Sequence, residues 1–120
     1  MPEIKDKKYG KALFYIDDKE IKDKKYGKTL FYIDGNEIRE KSKYGQVKFY
    51  IDKKEIKKDS KYGKVHYHVE NNEVKEKKYG TLIYYIDDDE IKEKTKYGHV
   101  KYYIDGHLTN EQLMGLISII

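Results

Sequence analysis

Residues 12–28 read ALFYIDDKEIKDKKYGK, and this unit recurs down almost the whole chain. The dipeptide Tyr-Gly marks each copy and returns every 17 or 18 residues. Such a period is typical of stacked copies of one supersecondary unit. We therefore predict a repeat protein with six copies, marked by Tyr9-Gly10, Tyr26-Gly27, Tyr44-Gly45, Tyr62-Gly63, Tyr79-Gly80 and Tyr97-Gly98.

The composition indicates a folded domain with a thin core. Charged residues make up 40% of the chain and the mean hydropathy is −1.00, so few side chains are left for a large hydrophobic interior. Disordered segments are poor in aromatic residues, whereas this chain has 14 Tyr and 3 Phe at regular places. The net charge of +4 comes from 26 basic and 22 acidic residues that are interleaved, which weakens the case for polyanion binding.

Several features predict a cytoplasmic protein. The chain has no Cys, which excludes disulfides and thiolate metal sites. The first ten residues, MPEIKDKKYG, lack the apolar core of a signal peptide. The apolar stretch 113–120 is too short to span a bilayer as a helix. This tail also has no Lys, so we expect no membrane attachment through it.

Each copy contains a strand with two alternating faces, because apolar residues recur at every second position of residues 12–17. One face is predicted to form the core, and its three positions hold Ala12, Thr29, Val47, Val65, Leu82 and Val100, then Phe14, Phe31, Phe49, Tyr67, Tyr84 and Tyr102, then Ile16, Ile33, Ile51, Val69, Ile86 and Ile104. The other face is predicted to be amphipathic, and it holds Leu13, Leu30, Lys48, His66, Ile83 and Lys101, then Tyr15, Tyr32, Tyr50, His68, Tyr85 and Tyr103.

A turn follows each strand and predicts a β-hairpin. Gly35-Asn36 and Asn71-Asn72 stand at the centre of two of these turns, and Gly and Asn tolerate the positive φ of a type I′ loop. A two-residue loop pairs Ile16 with Ile21 on the core face. The same register sets Asp17 opposite Glu20, which is unfavourable, so we expect either a longer loop or a cation beside the pair.

The segment that returns to the next Tyr-Gly varies by one residue, and Ser42, Ser60 and Thr95 look like the additional residue. Since an odd insertion flips strand alternation, we expect a short return strand that ends in a bulge or in the second turn. A parallel solenoid with one copy per coil is the rival layout. It is disfavoured because its Lys-rich return segment would point charges into the coil.

A meander of about twelve strands cannot leave its apolar face in water. The sheet can curl into a barrel or superhelix, or two sheets can pack together, and a barrel of this size needs a plug. Thr109 or Asn110 can cap a helix whose stripe is Leu113, Leu116, Ile117 and Ile120. We therefore predict an all-β antiparallel hairpin-repeat domain over residues 1–108, twisted or closed, and a short helix over residues 109–120 that caps the core face.

The pattern GKALFYIDDKE resembles bacterial cell-wall-binding repeats of the choline-binding type, and FYIDGNEI followed by Tyr-Gly is similar to variant MORN repeats. Both families are built from short β-hairpins, and the resemblance spans residues 3–108. The chain has no Trp, so the aromatic choline cage of the first family has no counterpart. Most copies also have only the Gly of the Tyr-Gly dipeptide, where MORN repeats carry several. The resemblance therefore implies the hairpin architecture alone.

No pattern in the chain predicts catalysis, a metal site or a cofactor. His66 and His68 stand two apart on one predicted face, but two ligands do not make a site. The acidic turn 87–90 lacks the alternating ligands and Gly of a calcium loop. There is no Gly-x-Ser-x-Gly motif and no phosphate-binding loop. We expect a protein that is not an enzyme.

The best candidate for ligand binding is an aromatic column flanked by Lys, since such a ladder can stack on bases, sugar rings or the side chains of a partner. It can also be structural, because Tyr and Lys pairs cover an exposed sheet. Arg39 is the single Arg, which argues against phosphate recognition. The column consists of Tyr15, Tyr32, Tyr50, His68, Tyr85 and Tyr103.

Three hypotheses for function follow. We favour a non-enzymatic repeat scaffold for protein–protein interaction or self-assembly, because repeat arrays offer extended surfaces. One alternative is binding of a glycan or single-stranded nucleic acid on the Tyr/Lys face. The other is a designed or consensus-like repeat without an evolved activity.

Overall fold

The computed structural model describes all 120 residues as a closed antiparallel barrel with one helix. The strands are β1 (Glu3–Lys5), β2 (Ala12–Asp17), β3 (Glu20–Lys22), β4 (Thr29–Asp34), β5 (Glu37–Glu40), β6 (Val47–Asp52), β7 (Glu55–Lys58), β8 (Val65–Glu70), β9 (Glu73–Lys75), β10 (Leu82–Asp87), β11 (Glu90–Glu93) and β12 (Val100–Asp105), and the helix is α1 (Asn110–Ile119). Consecutive strands are neighbours, and β1 pairs with β12 to close the ring. The predicted hairpin meander is confirmed in its closed form.

Two-residue loops join each long strand to the next short one. Ile16 lies opposite Ile21, and Asp17 lies opposite Glu20, as predicted. The first loop residue has a positive φ in all five hairpins, from 54° to 59°, at Asp18, Gly35, Lys53, Asn71 and Asp88. Asn, Asp and Gly tolerate this conformation better than other residues, so the local sequence favours the hairpin at four of the five positions, and Lys53 is the exception.

The Tyr-Gly dipeptides form the turns at the opposite end of the barrel. The amide of Gly10 donates to the carbonyl of Lys7 at 2.9 Å, and the other five copies repeat this bond. A Cβ on Gly45 would lie 1.7 Å from the carbonyl oxygen of Glu40, so this turn requires Gly.

Three of these turns are longer by one residue. The chain accommodates that residue with a positive φ at Lys41, Asp59 and Lys94 rather than at the neighbouring Ser or Thr. The hydroxyl of Ser42 instead accepts from the Tyr44 amide at 3.2 Å. The return strands are three or four residues long, which confirms the prediction that they are short.

A bulge near the start of each long strand corrects one part of the predicted faces. Ile4 pairs with Phe14 but Lys5 pairs with Ala12, so Leu13 is left over, and the same shift occurs in all six copies. The prediction was wrong for the first core position, which lies on the outer face: Ala12, Thr29, Val47, Val65, Leu82 and Val100. The strict period of two could not reveal this, because a bulge flips alternation.

The core lies on the inner wall of the barrel. Ile residues of the long strands face Ile or Val of the short strands, and most of these side chains are fully buried. Phe14, Phe31 and Phe49 are half-buried and pack against these side chains. Each large side chain buried in this way contributes about 1.5–3 kcal/mol to folding.

Helix α1 plugs the barrel. Thr109 is its N-cap, and a capping box joins Thr109 and Gln112. The Gln112 Nε2 atom donates to the carbonyl of Asp18 at 2.8 Å, which ties the start of the helix to the β2–β3 loop. Gly115 lets the helix approach the wall, since a Cβ there would lie 2.9 Å from Ile33 Cδ1. The predicted capping helix is therefore present and lies against the core.

The second half of the barrel contains a row of tyrosines where the first half has phenylalanines. Tyr67 and Tyr84 are edge to face with centroids 6.3 Å apart, and Tyr84 and Tyr102 repeat this contact at 6.4 Å. The hydroxyl of Tyr67 donates to the carbonyl of Ile120 at 3.1 Å and holds the end of α1. Burial raises the pKa of Tyr84 to about 12.

We expect Leu116→Ala to lower the free energy of unfolding by about 2–5 kcal/mol, because Leu116 is 0% exposed and its loss leaves a cavity between helix and wall. Urea denaturation followed by circular dichroism measures this loss. Leu13→Ala is the matched control, since Leu13 is 37% exposed and its removal is expected to cost less than about 1 kcal/mol. Equal losses in the two variants would contradict the role of α1 as the plug.

We expect stability to fall as the pH rises from 10 towards 12. The pKa of Tyr84 is raised on folding, so the unfolded chain releases this proton first and alkali favours unfolding. The loss should reach about 2 kcal/mol at pH 12. Thermal unfolding of the native chain and of Tyr84→Phe across this range measures it. The variant lacks the titrating hydroxyl, so a pH dependence identical to that of the native chain would refute the assignment.

Candidate functional site

The predicted aromatic column forms a belt around the outside of the barrel, which we call the outer belt: Tyr15, Tyr32, Tyr50, His68, Tyr85 and Tyr103. Each aromatic member lies between a Glu of one neighbouring strand and a Lys or Arg of the other, and the outer belt includes these flanking charged residues. Tyr15, for example, is opposite Glu3 and Lys22. The Tyr members are half-buried and His68 is buried. The structure therefore brings the predicted residues to one level but leaves little of each free.

The cations of the outer belt are engaged by the acidic pairs of the hairpins. Lys22 Nζ lies 3.5 Å from Asp17 Oδ2 and 3.9 Å from Glu20 Oε1. A cation beside the acidic pair was one of the two predicted solutions, and the structure adopts it. Equivalent contacts are made by Arg39, Lys57 and Lys92.

The copy at Lys92 shows the electrostatic effect of these pairs. The Lys92 Nζ atom donates to Asp87 Oδ2 at 2.8 Å. This hydrogen bond lowers the pKa of Asp87 and raises the pKa of Lys92. The outer belt is thus a network of partners within the chain, and its ions are already paired.

The two histidines of β8 do not share a face, which corrects the prediction. The bulge turns His66 inward, where its ring stacks on Phe49 with centroids 5.0 Å apart. His68 stays in the outer belt, with Nε2 3.2 Å from Glu70 Oε1. Burial is the main cause that lowers the pKa of His66, and Lys58 lowers it further. No group of three or more His, Cys, Asp or Glu side chains is placed to hold a metal ion.

The most exposed aromatic side chains lie in the Tyr-Gly turns. Their exposed fractions range from 84% to 90%, and they are Tyr9, Tyr26, Tyr44, Tyr62, Tyr79 and Tyr97. The turn dictates this position, since the Gly amide closes the loop and the preceding Tyr is left at the tip. Six tyrosines thus encircle one end of the barrel.

A lysine accompanies the exposed ring in five of the six turns. Lys43 Nζ lies 5.2 Å from the centroid of Tyr44, and the corresponding distances in the turns of Tyr9, Tyr26, Tyr79 and Tyr97 are 5.5–6.0 Å. This is the range of a cation–π contact, which is weak at exposed sites. Each such turn presents an apolar ring and a positive charge together.

Charge is divided between the two ends of the barrel. The end with the exposed tyrosines, here called the Lys–Tyr rim, comprises residues 6–11, 23–28, 40–46, 58–64, 76–81 and 93–99 and carries 15 Lys against 6 carboxylates, a net charge of +9. The opposite end, here called the acidic rim, comprises residues 2–3, 17–20, 34–37, 52–55, 70–73, 87–90 and 105–107 and carries 15 carboxylates against 3 Lys, a net charge of −12. The small overall charge conceals this separation.

Sequence reasoning used the turn tyrosines as markers of the repeat and missed them as candidate functional residues. The available signal was an aromatic residue beside Lys and Gly, outside the alternating pattern of the strand, in every copy. An aromatic ring in a turn contributes little to a sheet core, so it is a candidate for contact with another molecule.

Comparison of the chain with protein-family models, curated protein sequences and solved structures finds no match. The resemblance to MORN and cell-wall-binding repeats therefore stays a prediction. The 10-residue helix lacks the length and apolar character needed to cross a membrane.

Proposed function

We propose that this protein is a non-enzymatic binding scaffold whose Lys–Tyr rim holds an acidic surface of a protein partner. The observation that carries the proposal is the exposure of six equivalent tyrosines at one end of the barrel. Tyr is enriched at protein interfaces because it supplies a large apolar area together with a polar group. Large aromatic side chains also provide many of the residues that dominate binding energy.

Charge favours an acidic partner and sets its orientation. The Lys–Tyr rim carries +9 and the acidic rim carries −12, so an acidic surface is attracted to one end of the barrel and repelled from the other. Complementary charge of this kind accelerates association and suppresses wrong orientations. The outer belt contributes less, since its lysines already contact Asp and Glu of the chain.

The details of the rim favour protein over nucleic acid. Every Lys–Tyr turn also contains one carboxylate, for example Asp6 in the first and Glu40 in the third, and these charges repel a continuous phosphate backbone. Arg39 lies in the outer belt and the rim has no Arg, although Arg is the side chain best suited to phosphate. Binding of a glycan or single-stranded nucleic acid to the outer belt remains the alternative proposal.

Self-assembly is a second candidate, favoured by the opposite charges of the two rims. The barrel is disk-like, with extents of 39 × 36 × 17 Å, and both rims contain turns from the same repeats. A Lys–Tyr rim that meets the acidic rim of another copy makes a head-to-tail contact, and such contacts generate open stacks. This candidate uses the same surface as the first, with a second copy of the chain as the acidic partner.

We expect a labelled Glu-rich peptide to bind the chain and to be released by added salt. Changing Lys25, Lys43 and Lys78 of the Lys–Tyr rim to Glu should weaken binding at least about tenfold. The matched control changes Lys19, Lys53 and Lys54 of the acidic rim to Glu, which alters the net charge equally and should leave the affinity nearly unchanged. Fluorescence anisotropy measures both, and equal weakening in the two variants would contradict the proposal.

Replacing Tyr44 and Tyr79 by Ser keeps the net charge. The double variant should still bind the Glu-rich peptide several-fold more weakly, because the apolar rings are lost. A single-stranded oligonucleotide serves as the competing ligand. If the oligonucleotide binds much more tightly than the peptide and depends on Tyr50 and Tyr85, the outer belt is the functional surface. Sedimentation velocity at low and high salt tests stacking, and a monomer at both would exclude self-assembly as the function.

A further inference from the structure

A cavity of about 1030 Å³ opens at one side of the Lys–Tyr rim, and we call it the mouth cavity. Its inner lining consists of Leu30, Phe31, Phe49 and the ring of His66. The volume is at the upper end of the range of about 300–1,000 Å³ that is typical of small-molecule sites. An apolar space of this size beside charged turns can accept a ligand with an apolar body.

The cavity follows from the strand number and from the path of α1. Twelve strands enclose more space than side chains fill, and α1 occupies only part of it. The helix runs from the β2–β3 loop, where Gln112 contacts Asp18, to β8, where Tyr67 binds Ile120. The sector of β4 to β8 at the Lys–Tyr end is left open.

The sequence difference between the two halves of the barrel maintains the cavity. The row of Tyr67, Tyr84 and Tyr102 fills the second half. The equivalent residues of the open sector are Phe31 and Phe49, which lack the hydroxyl. The bulge residues of β4, β6 and β8, which are Leu30, Lys48 and His66, line the cavity, whereas the bulge residue of β10, Ile83, packs against the core.

The entrance of the cavity is basic. Lys28, Lys41, Lys48 and Lys58 stand around it together with Glu40 and Asp59. Lys48 Nζ lies 3.4 Å from Glu40 Oε2, so this pair is neutralised within the chain. Lys41 and Asp59 occupy the positive-φ positions of two of the three longer turns, and both residues line the cavity, which places these two turns at the entrance. The lysines outnumber the carboxylates by two, so the entrance favours an anion.

We propose that the mouth cavity binds a small amphipathic anion, a single aliphatic chain of medium length that ends in a carboxylate. The chain lies on Leu30, Phe31 and Phe49, where its burial provides the hydrophobic contribution. The carboxylate stays at the entrance among the lysines, partly in water. A fully polar anion gains nothing from the lining, and a cationic amphiphile is repelled at the entrance.

Isothermal titration calorimetry of the full chain with sodium decanoate, below the concentration at which it forms micelles, tests the proposal. We expect one decanoate per chain. Acetate, which lacks the aliphatic chain, and decyltrimethylammonium, which reverses the charge, should bind at least about tenfold more weakly. Absence of decanoate binding, or equal binding of decyltrimethylammonium, would overturn the proposal.

Two pairs of variants locate the site. Lys48→Glu should weaken the binding of decanoate about three- to tenfold, whereas Lys101→Glu should leave it unchanged. Lys101 has the same place in β12 and the same type of ion pair, with Glu93 at 4.0 Å, but it lies outside the cavity. Phe49→Tyr should weaken binding and Phe14→Tyr should not, and both are expected to fold because other copies have Tyr at this position. Equal effects within either pair would place the ligand elsewhere.

Binding of decanoate in the mouth cavity is independent of binding of the protein partner proposed for the Lys–Tyr rim. Replacement of Tyr44 and Tyr79 by Ser should reduce peptide binding and leave decanoate binding unchanged, since neither side chain lines the cavity. Failure of either assay therefore identifies which of the two proposals is wrong.

Discussion

Pairing of β1 with β12 is the contact on which the rest of the barrel depends. β1 is a return strand without its own forward strand at the start of the chain, and β12 is a forward strand without a return strand at its end. Each completes the hairpin of the other, so the ring has no free edge. Once the ring is closed, twelve strands enclose a lumen that side chains alone cannot fill. The plugging helix and the mouth cavity both follow from that excess of space.

The hairpins were predictable because their information is local. The loop residues at Gly35-Asn36 and Asn71-Asn72 tolerate positive φ, and the spacing of Ile16 and Ile21 admits one register that buries both. The unfavourable acidic pair of each hairpin predicted either a longer loop or a cation beside the pair. Lys22 supplies the cation in the first hairpin, two residues after Glu20 on the same strand. The helix was also predictable, since Thr109 or Asn110 can cap it and the tail is the only strongly apolar segment.

The bulge and the cavity were not predictable in the same way. A bulge leaves no signature of its own here, because Val47 and Val65 are typical of a buried position yet lie on the outer face. The inward turn of His66 depends on that bulge. The exposure of the turn tyrosines depends on how the Gly amide closes each loop, and the separation of charge depends on which turns gather at which end. These properties arise from the assembled ring and are absent from any single copy.

The aromatic residues divide into those that the fold uses and those that it does not. Inner rings such as Phe31 and Tyr84 pack in the core, and the outer belt covers the sheet between paired ions. The turn tyrosines do neither, since their rings are almost fully exposed. Turn geometry requires Gly but makes no demand for Tyr before it, and exposed apolar rings reduce solubility. Their recurrence in all six copies, mostly with a lysine over the ring, is not required by the fold, and the proposed binding role of the Lys–Tyr rim rests on this observation.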